Sequence, residues 1–161
     1  KAYIGALSSR LRRQLSALSR APERVVLSFH SLPERLIAAG DPYLEQCRET
    51  ARALRAAMGW TEGFAPIAFQ SRFGPEKWIG PSTEETLERL AKEGVKSLAV
   101  TAPGFFSDCI ETLEEIAIRG RETFLAEGGE AFETLACLND SDEAVALLEI
   151  LAREALARFG E

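Results

Sequence analysis

The segment Val-Thr-Ala-Pro-Gly-Phe-Phe-Ser-Asp-Cys-Ile-Glu-Thr-Leu-Glu-Glu-Ile, residues 100–116, decides the fold of this chain. It joins the end of an apolar run to a Pro-Gly turn, and a stretch of helical periodicity follows the turn. We therefore expect a buried strand over residues 95–101 and a helix over residues 108–126. In open α/β sheets, ligands bind just outside the carboxyl ends of the strands, so this junction is the first candidate for a site.

The first turns of this predicted helix are acidic. Asp108 and Glu111 have the spacing of a capping box, in which two side chains satisfy free N–H groups at the start of a helix. Glu115 comes four residues after Glu111, so all three carboxylates can share one face of an α-helix. Two interpretations are open at this point: a solvated acidic face with an N-terminal cap, or part of a functional site.

The only histidine of the chain, His30, occupies a corresponding position. It follows a strand predicted over residues 24–29, whose Val-Val-Leu core lacks polar alternation, as is typical of buried parallel strands. In a parallel sheet, His30 and Glu111 would lie at the same edge. A neutral imidazole and carboxylates that face each other across a crevice can hold a divalent metal ion or transfer protons.

The rest of the chain alternates between helical and strand patterns. We expect helices over residues 2–19, 42–58, 83–93 and 142–158, and strands over residues 64–70 and 131–136. Strands that alternate with helices form parallel sheets with right-handed crossovers. The sequence therefore predicts one α/β domain, residues 1–161, in which a four-stranded parallel sheet carries helices on both faces.

The segment after the second predicted strand, residues 71–81, contains too many glycines and prolines for regular structure. Two aromatic residues, Phe73 and Trp78, lie within it. Aromatic side chains in such loops either line a ligand site or cover the sheet, and both interpretations are open.

The composition excludes several classes of function. A net charge of −6 and an isoelectric point of about 5.0 disfavour non-specific binding of nucleic acid. Apolar runs all fall short of the roughly 18–20 residues needed to cross a bilayer. The three cysteines, Cys47, Cys109 and Cys137, form no C-x-x-C pair, so neither a zinc site nor an iron–sulfur motif is indicated, and a reducing cytosol suits them. The sequence also lacks the glycine motifs that bind phosphate groups of nucleotides and the G-x-S-x-G nucleophile elbow of α/β-hydrolases.

Four motifs together resemble the ferrochelatase family, whose members insert ferrous iron into protoporphyrin IX at the last step of haem synthesis. The motifs are Ser-Phe-His-Ser-Leu-Pro at 28–33, Gly-Asp-Pro-Tyr at 40–43, Gln-Ser-Arg-Phe-Gly at 70–74 with Trp-Ile-Gly-Pro at 78–81, and Pro-Gly-Phe-Phe-Ser-Asp-Cys-Ile-Glu-Thr-Leu-Glu-Glu at 103–115. The resemblance covers only the C-terminal half of the enzyme. It implies a chelatase-type, flavodoxin- or Rossmann-like three-layer domain, with the porphyrin in a cleft between this half and a missing N-terminal domain.

The resemblance also implies roles for single residues. His30 matches the catalytic histidine of the family and Glu111 its catalytic glutamate, and His30, Glu111 and Glu115 are the implied metal-binding set. Where many relatives continue this acidic line, the chain has Arg119. Fe²⁺ is implied as a substrate, and the cysteine ligands of the iron–sulfur cluster found in some members are absent. The implied substrate-binding residues are Ser31, Leu32, Pro33, Tyr43, Gln70, Ser71, Arg72, Trp78 and Asp108.

Two other functions remain open on the sequence alone. One is a chelatase for a different tetrapyrrole, such as coproporphyrin or sirohydrochlorin, and the other is a flavodoxin-like binding module without catalysis. The chain starts at Lys1 within a helical pattern, so we expect it to be a piece of a longer protein. We expect this piece alone to be inactive and to self-associate through its exposed cleft face. The expected location is the cytoplasm, with peripheral membrane association of the longer protein left open.

Overall fold

The computed structural model of the chain describes residues 1–159. A π-helix, Glu111–Gly120, lies between the third and fourth strands and runs on directly into an α-helix. The other elements are α1 (Ala2–Ser16), β1 (Arg24–His30), α2 (Glu34–Ala38), α3 (Tyr43–Met58), β2 (Ile67–Gln70), α4 (Thr83–Lys92), β3 (Ser97–Thr101), α5 (Arg121–Ala126), β4 (Ala131–Leu135) and α6 (Asp142–Phe159).

The four strands form one parallel sheet in the order β2-β1-β3-β4. The register places Phe29 opposite Phe69 across the first pair and Val26 opposite Val100 across the central pair. All five residues of β3 are buried, as expected for a strand covered on both faces. The predicted four-stranded parallel sheet is confirmed.

Two apolar cores cover the two faces of this sheet. On one face, Leu7 and Leu11 of α1 pack with Ala51 and Leu54 of α3 against β1 and β2. On the other face, the packing comes from α4, the π-helix and α5, including Leu87, Ile116 and Phe124. Helices on both faces give the three-layer arrangement that the alternating pattern predicts.

Some helices and strands begin at residues other than the predicted ones, because local interactions set their ends. The strand predicted from residue 64 begins at Ile67, because Pro66 has no N–H to contribute to the ladder, although its carbonyl still accepts from Leu27 N at 2.9 Å. Between His30 and the helix expected from residue 42, where the sequence predicts no regular element, the structure has the short helix α2. Ser82 forms a full capping box with Glu85 at the start of α4.

The acidic segment differs most from its prediction. The α-helix expected from residue 108 is a π-helix that begins at Glu111, and the expected capping box between Asp108 and Glu111 is wrong. Instead, the Thr112 hydroxyl donates to Asp108 Oδ1 at 3.0 Å and accepts from Cys109 N at 3.0 Å. Because Asp108 lies outside the helix, the single face that would carry all three carboxylates does not form.

The widened turns of this helix have a visible signature. Arg119 Nε donates to Glu114 Oε1 at 2.7 Å across five residues, which is the i to i+5 spacing of a π-helix. At its end, Gly120 lies against α4, where an added Cβ would be 3.1 Å from Leu87 Cδ1. π-Helical turns are rare and are frequently found at functional sites.

The last helix, α6, packs against the domain with only part of its surface. Ala144 and Leu147 are buried, whereas Val145, Leu148 and Leu151, which share one stripe, are 60%, 52% and 46% exposed. Among the described residues, no helix has the length and apolarity to span a membrane.

Candidate active site

The segments that follow the four strands meet at the carboxyl edge of the sheet, as the parallel topology requires. His30 closes β1 and Gln70 closes β2, and the two residues are paired in the register of these strands. The Pro-Gly turn after β3 leads into the π-helix, and the Leu-Asn-Asp segment after β4 leads into α6. The candidate site is built from these four segments.

His30 has a defined tautomer. Its Nδ1 lies 2.7 Å from the carbonyl oxygen of Ser31. A carbonyl can only accept a hydrogen bond, so Nδ1 carries the proton and Nε2 of the neutral ring keeps a lone pair. The Tyr43 hydroxyl donates to the His30 carbonyl at 2.9 Å, and the Phe105 ring centre lies 6.4 Å from the imidazole. The ring is therefore held with one nitrogen available as a base or a ligand.

The loop after β1 is tied to the loop after β2. Ser31 is fully buried, and its hydroxyl donates to the Ile79 carbonyl at 2.9 Å. In return, Ile79 N donates to the Leu32 carbonyl at 2.9 Å, and Pro33 forms an antiparallel bridge with Trp78. These main-chain contacts shape one wall of the edge.

Gln70 connects the sheet to the π-helix. Its side chain is buried, its Nε2 donates to the Glu111 carbonyl at 2.8 Å, and its Oε1 accepts from Ser28 Oγ at 2.5 Å. The Ser28 hydroxyl is in turn 2.7 Å from Thr83 Oγ1. Since every polar atom in this chain of contacts is engaged, Gln70 positions the main chain of Glu111.

Ser71 holds the second carboxylate of the π-helix. Its N–H donates to Glu115 Oε1 and its hydroxyl donates to Glu115 Oε2, both at 2.7 Å. Ser71 adopts a left-handed conformation with φ of 64°, which residues other than glycine rarely take. The paired hydrogen bonds to a charged group are strong enough to hold this strained backbone.

Glu111 is the carboxylate of the π-helix whose ionisation is coupled to His30. A hydrogen bond from the Cys109 thiol lowers the pKa of Glu111, and its own main-chain N–H lowers it further, as does His30 when its ring is protonated. Glu111 is therefore ionised at neutral pH. An anionic oxygen donor and a neutral imidazole nitrogen at one edge form a pair that suits Fe²⁺ or proton transfer.

Both carboxylate oxygens of Asp108 accept hydrogen bonds from the protein. Its Oδ2 accepts from Asn139 Nδ2 at 2.6 Å, and its main-chain N–H donates back to Asn139 Oδ1 at 2.8 Å. Burial raises the pKa of Asp108, but hydrogen bonds from Asn139, Cys137 and Thr112 outweigh it, and the pKa is lowered overall. The carboxylate fixes the approach to the π-helix.

Asn139 is a residue of the site that is missing from the set predicted from the sequence. Its φ is 50°, and among residues 1–159 only Asn139 and Ser71 combine a side chain with positive φ. Both lie at the carboxyl edge and both hold carboxylates at or just before the π-helix. Asparagine is one of the few residues that tolerate a positive φ, so its presence after β4 is the feature of the sequence that could have indicated this conformation.

The expected residues separate into two groups. The edge itself gathers His30, Tyr43, Gln70, Ser71, Glu111 and Glu115 through the contacts described above. Arg72 instead reaches α4, where its Nη2 lies 3.4 Å from Glu85 Oε1, and Trp78 donates to the Phe73 carbonyl at 3.0 Å. Phe73 is 73% exposed, so it does not cover the sheet.

Apolar side chains flank the carboxylates at the start of the π-helix. Ile110 is 72% exposed and Leu113 is 56% exposed, on either side of Glu111. In the part of the chain that the structure describes, no three His, Cys, Asp or Glu side chains converge closely enough to enclose a metal ion. The edge thus combines an exposed apolar surface with the pair of His30 and Glu111.

A parallel three-layer domain with an imidazole and ionised carboxylates at its carboxyl edge defines an α/β protein of the chelatase type. The family model described as ferrochelatase matches residues 1–156. The chain therefore belongs to the ferrochelatase family, and the resemblance noted from its motifs is confirmed.

Individual relatives agree with the family match. The ferrochelatase of Rhizobium meliloti is 51% identical over 154 residues, and that of Agrobacterium fabrum is 50% identical over 155 residues. The ferrochelatase of Chelativorans sp. is 48% identical over 155 residues. Each alignment covers 96% of this chain but only 44–45% of the relative. The chain spans about half the length of these curated relatives.

Proposed function

We propose that this chain, as part of a full-length protein, inserts Fe²⁺ into protoporphyrin IX to form haem. The observation that carries the proposal is the pair of His30 and Glu111 at the carboxyl edge of a ferrochelatase-family domain. The reaction replaces two pyrrole N–H bonds by bonds from iron to nitrogen, and it releases two protons. A site for it needs weak oxygen and nitrogen donors for the incoming cation and acceptors for the protons.

His30 and Glu111 can supply both. Nε2 of His30 carries the free lone pair, because Nδ1 donates to Ser31. The ionised Glu111 attracts the cation and can accept a proton. Glu115, whose carboxylate is held by Ser71, is the next anionic group along the π-helix and the third member of the proposed metal-binding set. Because the three side chains do not converge on one point, we propose that Glu115 contacts the metal ion separately from His30 and Glu111. Two roles are open to His30 Nε2, namely binding Fe²⁺ and accepting a pyrrole proton, and the experiment below separates them.

The proposed substrate-binding residues divide by their contacts. Ser31, Leu32, Pro33, Gln70, Ser71 and Asp108 are engaged by protein partners, so we assign them the shaping of the edge. Tyr43 anchors the main chain of His30. The side chains of Arg72 and Trp78 are only partly covered, so we assign them direct contact with the tetrapyrrole. The exposed Ile110 and Leu113 supply apolar surface for the macrocycle.

The missing half of the relatives is the proposed partner of this surface. A bound porphyrin must be enclosed on two sides. The relatives are about twice as long as this chain, so their additional residues could form the second side of the cleft. We propose a two-domain protein of which this chain is the C-terminal domain, located in the cytoplasm, where the three free thiols would stay reduced. Peripheral membrane association of the full-length protein is left open, and the net charge of −6 on this half does not favour it. The isolated chain would be inactive and would self-associate, which sedimentation at several concentrations tests.

The experiment follows absorbance during insertion of Fe²⁺, or Zn²⁺ as a substitute, into protoporphyrin by the full-length protein. His30→Ala should lower the rate by about 10²-fold or more, the usual contribution of a positioned base. A loss in kcat with an unchanged KM for the metal assigns the proton to His30, and a raised KM for the metal assigns ligation. Arg153→Ala, which removes an exposed arginine of α6, is the matched control and should retain full activity.

Two results would contradict the proposal. Full turnover by the His30→Ala protein would remove His30 from the mechanism. Insertion into coproporphyrin or sirohydrochlorin, with none into protoporphyrin, would assign a different tetrapyrrole to the same site.

A further inference from the structure

A cavity lies away from the carboxyl edge, on the outer side of the edge strand β2. Its volume is about 520 Å³, within the range of small-molecule sites. Ile67 and Phe69 of β2 form its floor, and the helices α3 and α4 form its sides. None of its lining residues belongs to the proposed catalytic or substrate-binding set.

Four arginines line this cavity, which we call the arginine cavity. Arg48, Arg52 and Arg55 are spaced by four and three residues on α3, so they lie on one face of that helix. At a rise of about 1.5 Å per residue, the row extends for roughly 10 Å. Arg89 faces the row from α4. Glu62 is the one acidic side chain in the lining.

The three guanidinium groups of α3 are incompletely neutralised, whereas Arg89 is paired with Glu93 at 2.8 Å. Glu45 contacts Arg48 at 3.6 Å and Arg52 at 3.5 Å, both long distances for an ion pair. Glu62, 3.5 Å from Arg55, is itself 85% exposed. Solvent-exposed ion pairs of this kind contribute little stabilisation and leave most donors unused.

Arg55 is the fixed member of the row. Its side chain is only 12% exposed, and its Nε donates to the Ala65 carbonyl at 2.8 Å. Its Nη2 is buried and has no hydrogen-bond partner among residues 1–159. A buried donor without a partner is unfavourable, and Glu62, which lies 3.5 Å from Nη1, does not satisfy Nη2. An anion in the arginine cavity would supply an acceptor for Nη2.

An apolar extension opens beside the arginine cavity. This neighbouring cavity of about 440 Å³ shares Leu44 and Gly80 with it and is lined further by Ile37, Ala38, Ile79 and Glu34. The carboxylate of Glu34 is paired with Lys77 at 3.0 Å. Leu44 precedes Arg48 by one helical turn on α3. The two cavities therefore form one groove, apolar at the end near Leu44 and cationic along the arginine row.

We propose that this groove binds a small soluble organic anion, with phosphate or carboxylate groups on the arginine row and an apolar group beside Ile37 and Ile79. Guanidinium forks bind both anions in a bidentate manner, so the shared chemistry is a planar or tetrahedral oxyanion. The site is independent of the proposed chelatase function, because it lies on the other side of β2 from β1 and uses different residues.

Calorimetric titration of the full-length protein tests this with four probes: hexyl phosphate, hexanoate, inorganic pyrophosphate and hexanol. We expect hexyl phosphate or hexanoate to bind more tightly than pyrophosphate, and hexanol not to bind. Affinity should fall as NaCl is raised, because the exposed ends of the row are screened. Whichever of hexyl phosphate and hexanoate binds more tightly identifies the anionic group.

Substitutions at exposed positions localise the binding. Arg48→Ala with Arg52→Ala should weaken it by about tenfold or more, the value of one charge-assisted hydrogen bond. Glu45→Gln removes the carboxylate that contacts both arginines, so it should tighten binding, a result that misfolding cannot mimic. Ala38→Gln should weaken binding of hexyl phosphate but not of pyrophosphate. Arg153→Ala, an exposed arginine outside the groove, should change nothing.

Three outcomes would overturn the proposal. The first is no binding of any anionic probe at millimolar concentration. The second is equal weakening by Arg153→Ala and by the double arginine variant, which would indicate non-specific charge attraction. The third is binding only to vesicles that contain an acidic phospholipid, which would assign the arginines to a membrane surface.

Discussion

Replacing Ser71 by alanine tests whether the edge is held together by the contact between Ser71 and Glu115. The change leaves the main-chain N–H that donates to Oε1 but removes the hydroxyl that donates to Oε2 at 2.7 Å. Ser71 is buried, so water does not readily replace the lost donor. A hydrogen bond to a charged group contributes about 1.5–3 kcal/mol, and we expect the free energy of unfolding to fall by about 2 kcal/mol.

Ser71→Gly separates the lost hydrogen bond from the strained backbone. Both variants lack the hydroxyl, but glycine accepts the φ of 64° without the steric penalty of a Cβ. We therefore expect the glycine variant to be more stable than the alanine variant by about 1 kcal/mol.

Urea unfolding followed by circular dichroism measures both effects. A loss of about 2 kcal/mol lowers the midpoint by roughly 1 M at ordinary m-values, or the melting temperature by about 4–8 °C for a domain of this size. If Ser71→Ala costs less than about 0.5 kcal/mol, the paired hydrogen bonds do not hold the edge. If the glycine variant is no more stable than the alanine variant, the argument from backbone strain fails.

Two further predictions concern pH. The lowered pKa of Asp108 means that its contribution is present above the ordinary aspartate pKa and is lost as pH falls through the lower folded value, so wild type should lose stability on acidification. Asn139→Ala removes the 2.6 Å donor to Asp108 and should move acid unfolding to higher pH, and an unchanged acid midpoint would contradict the role of Asn139. Burial raises the pKa of Tyr3 to about 12, so its contribution is present below pH 10 and is lost as pH rises toward 12. Tyr3→Phe should therefore make alkaline unfolding, followed by circular dichroism, less steep in that interval than in wild type, and identical slopes would refute the assignment.

The α/β class and the location of the site could be predicted from the sequence because their signals are local. The uninterrupted apolar run before His30 predicts a buried strand, and the helix predicted from residue 83 begins there in the structure, capped by Ser82. Parallel strands place their carboxyl ends at one edge, so the meeting of His30 with the acidic segment follows from the alternation of elements alone.

Tertiary structure alone decided the form of that acidic segment. The π-helix depends on contacts between parts of the chain that are far apart in sequence: Asp108 with Asn139, and Gly120 with Leu87. A capping box is a local pattern, and here Thr112 and Asn139 compete for Asp108 and prevent it. The arginine cavity likewise cannot be predicted from the sequence. Arg89 comes close to the arginine row of α3 only because α3 and α4 flank the same edge strand in the folded chain. Local patterns determine which elements form, whereas packing between them determines which side chains are held, which remain free and where a second site can exist.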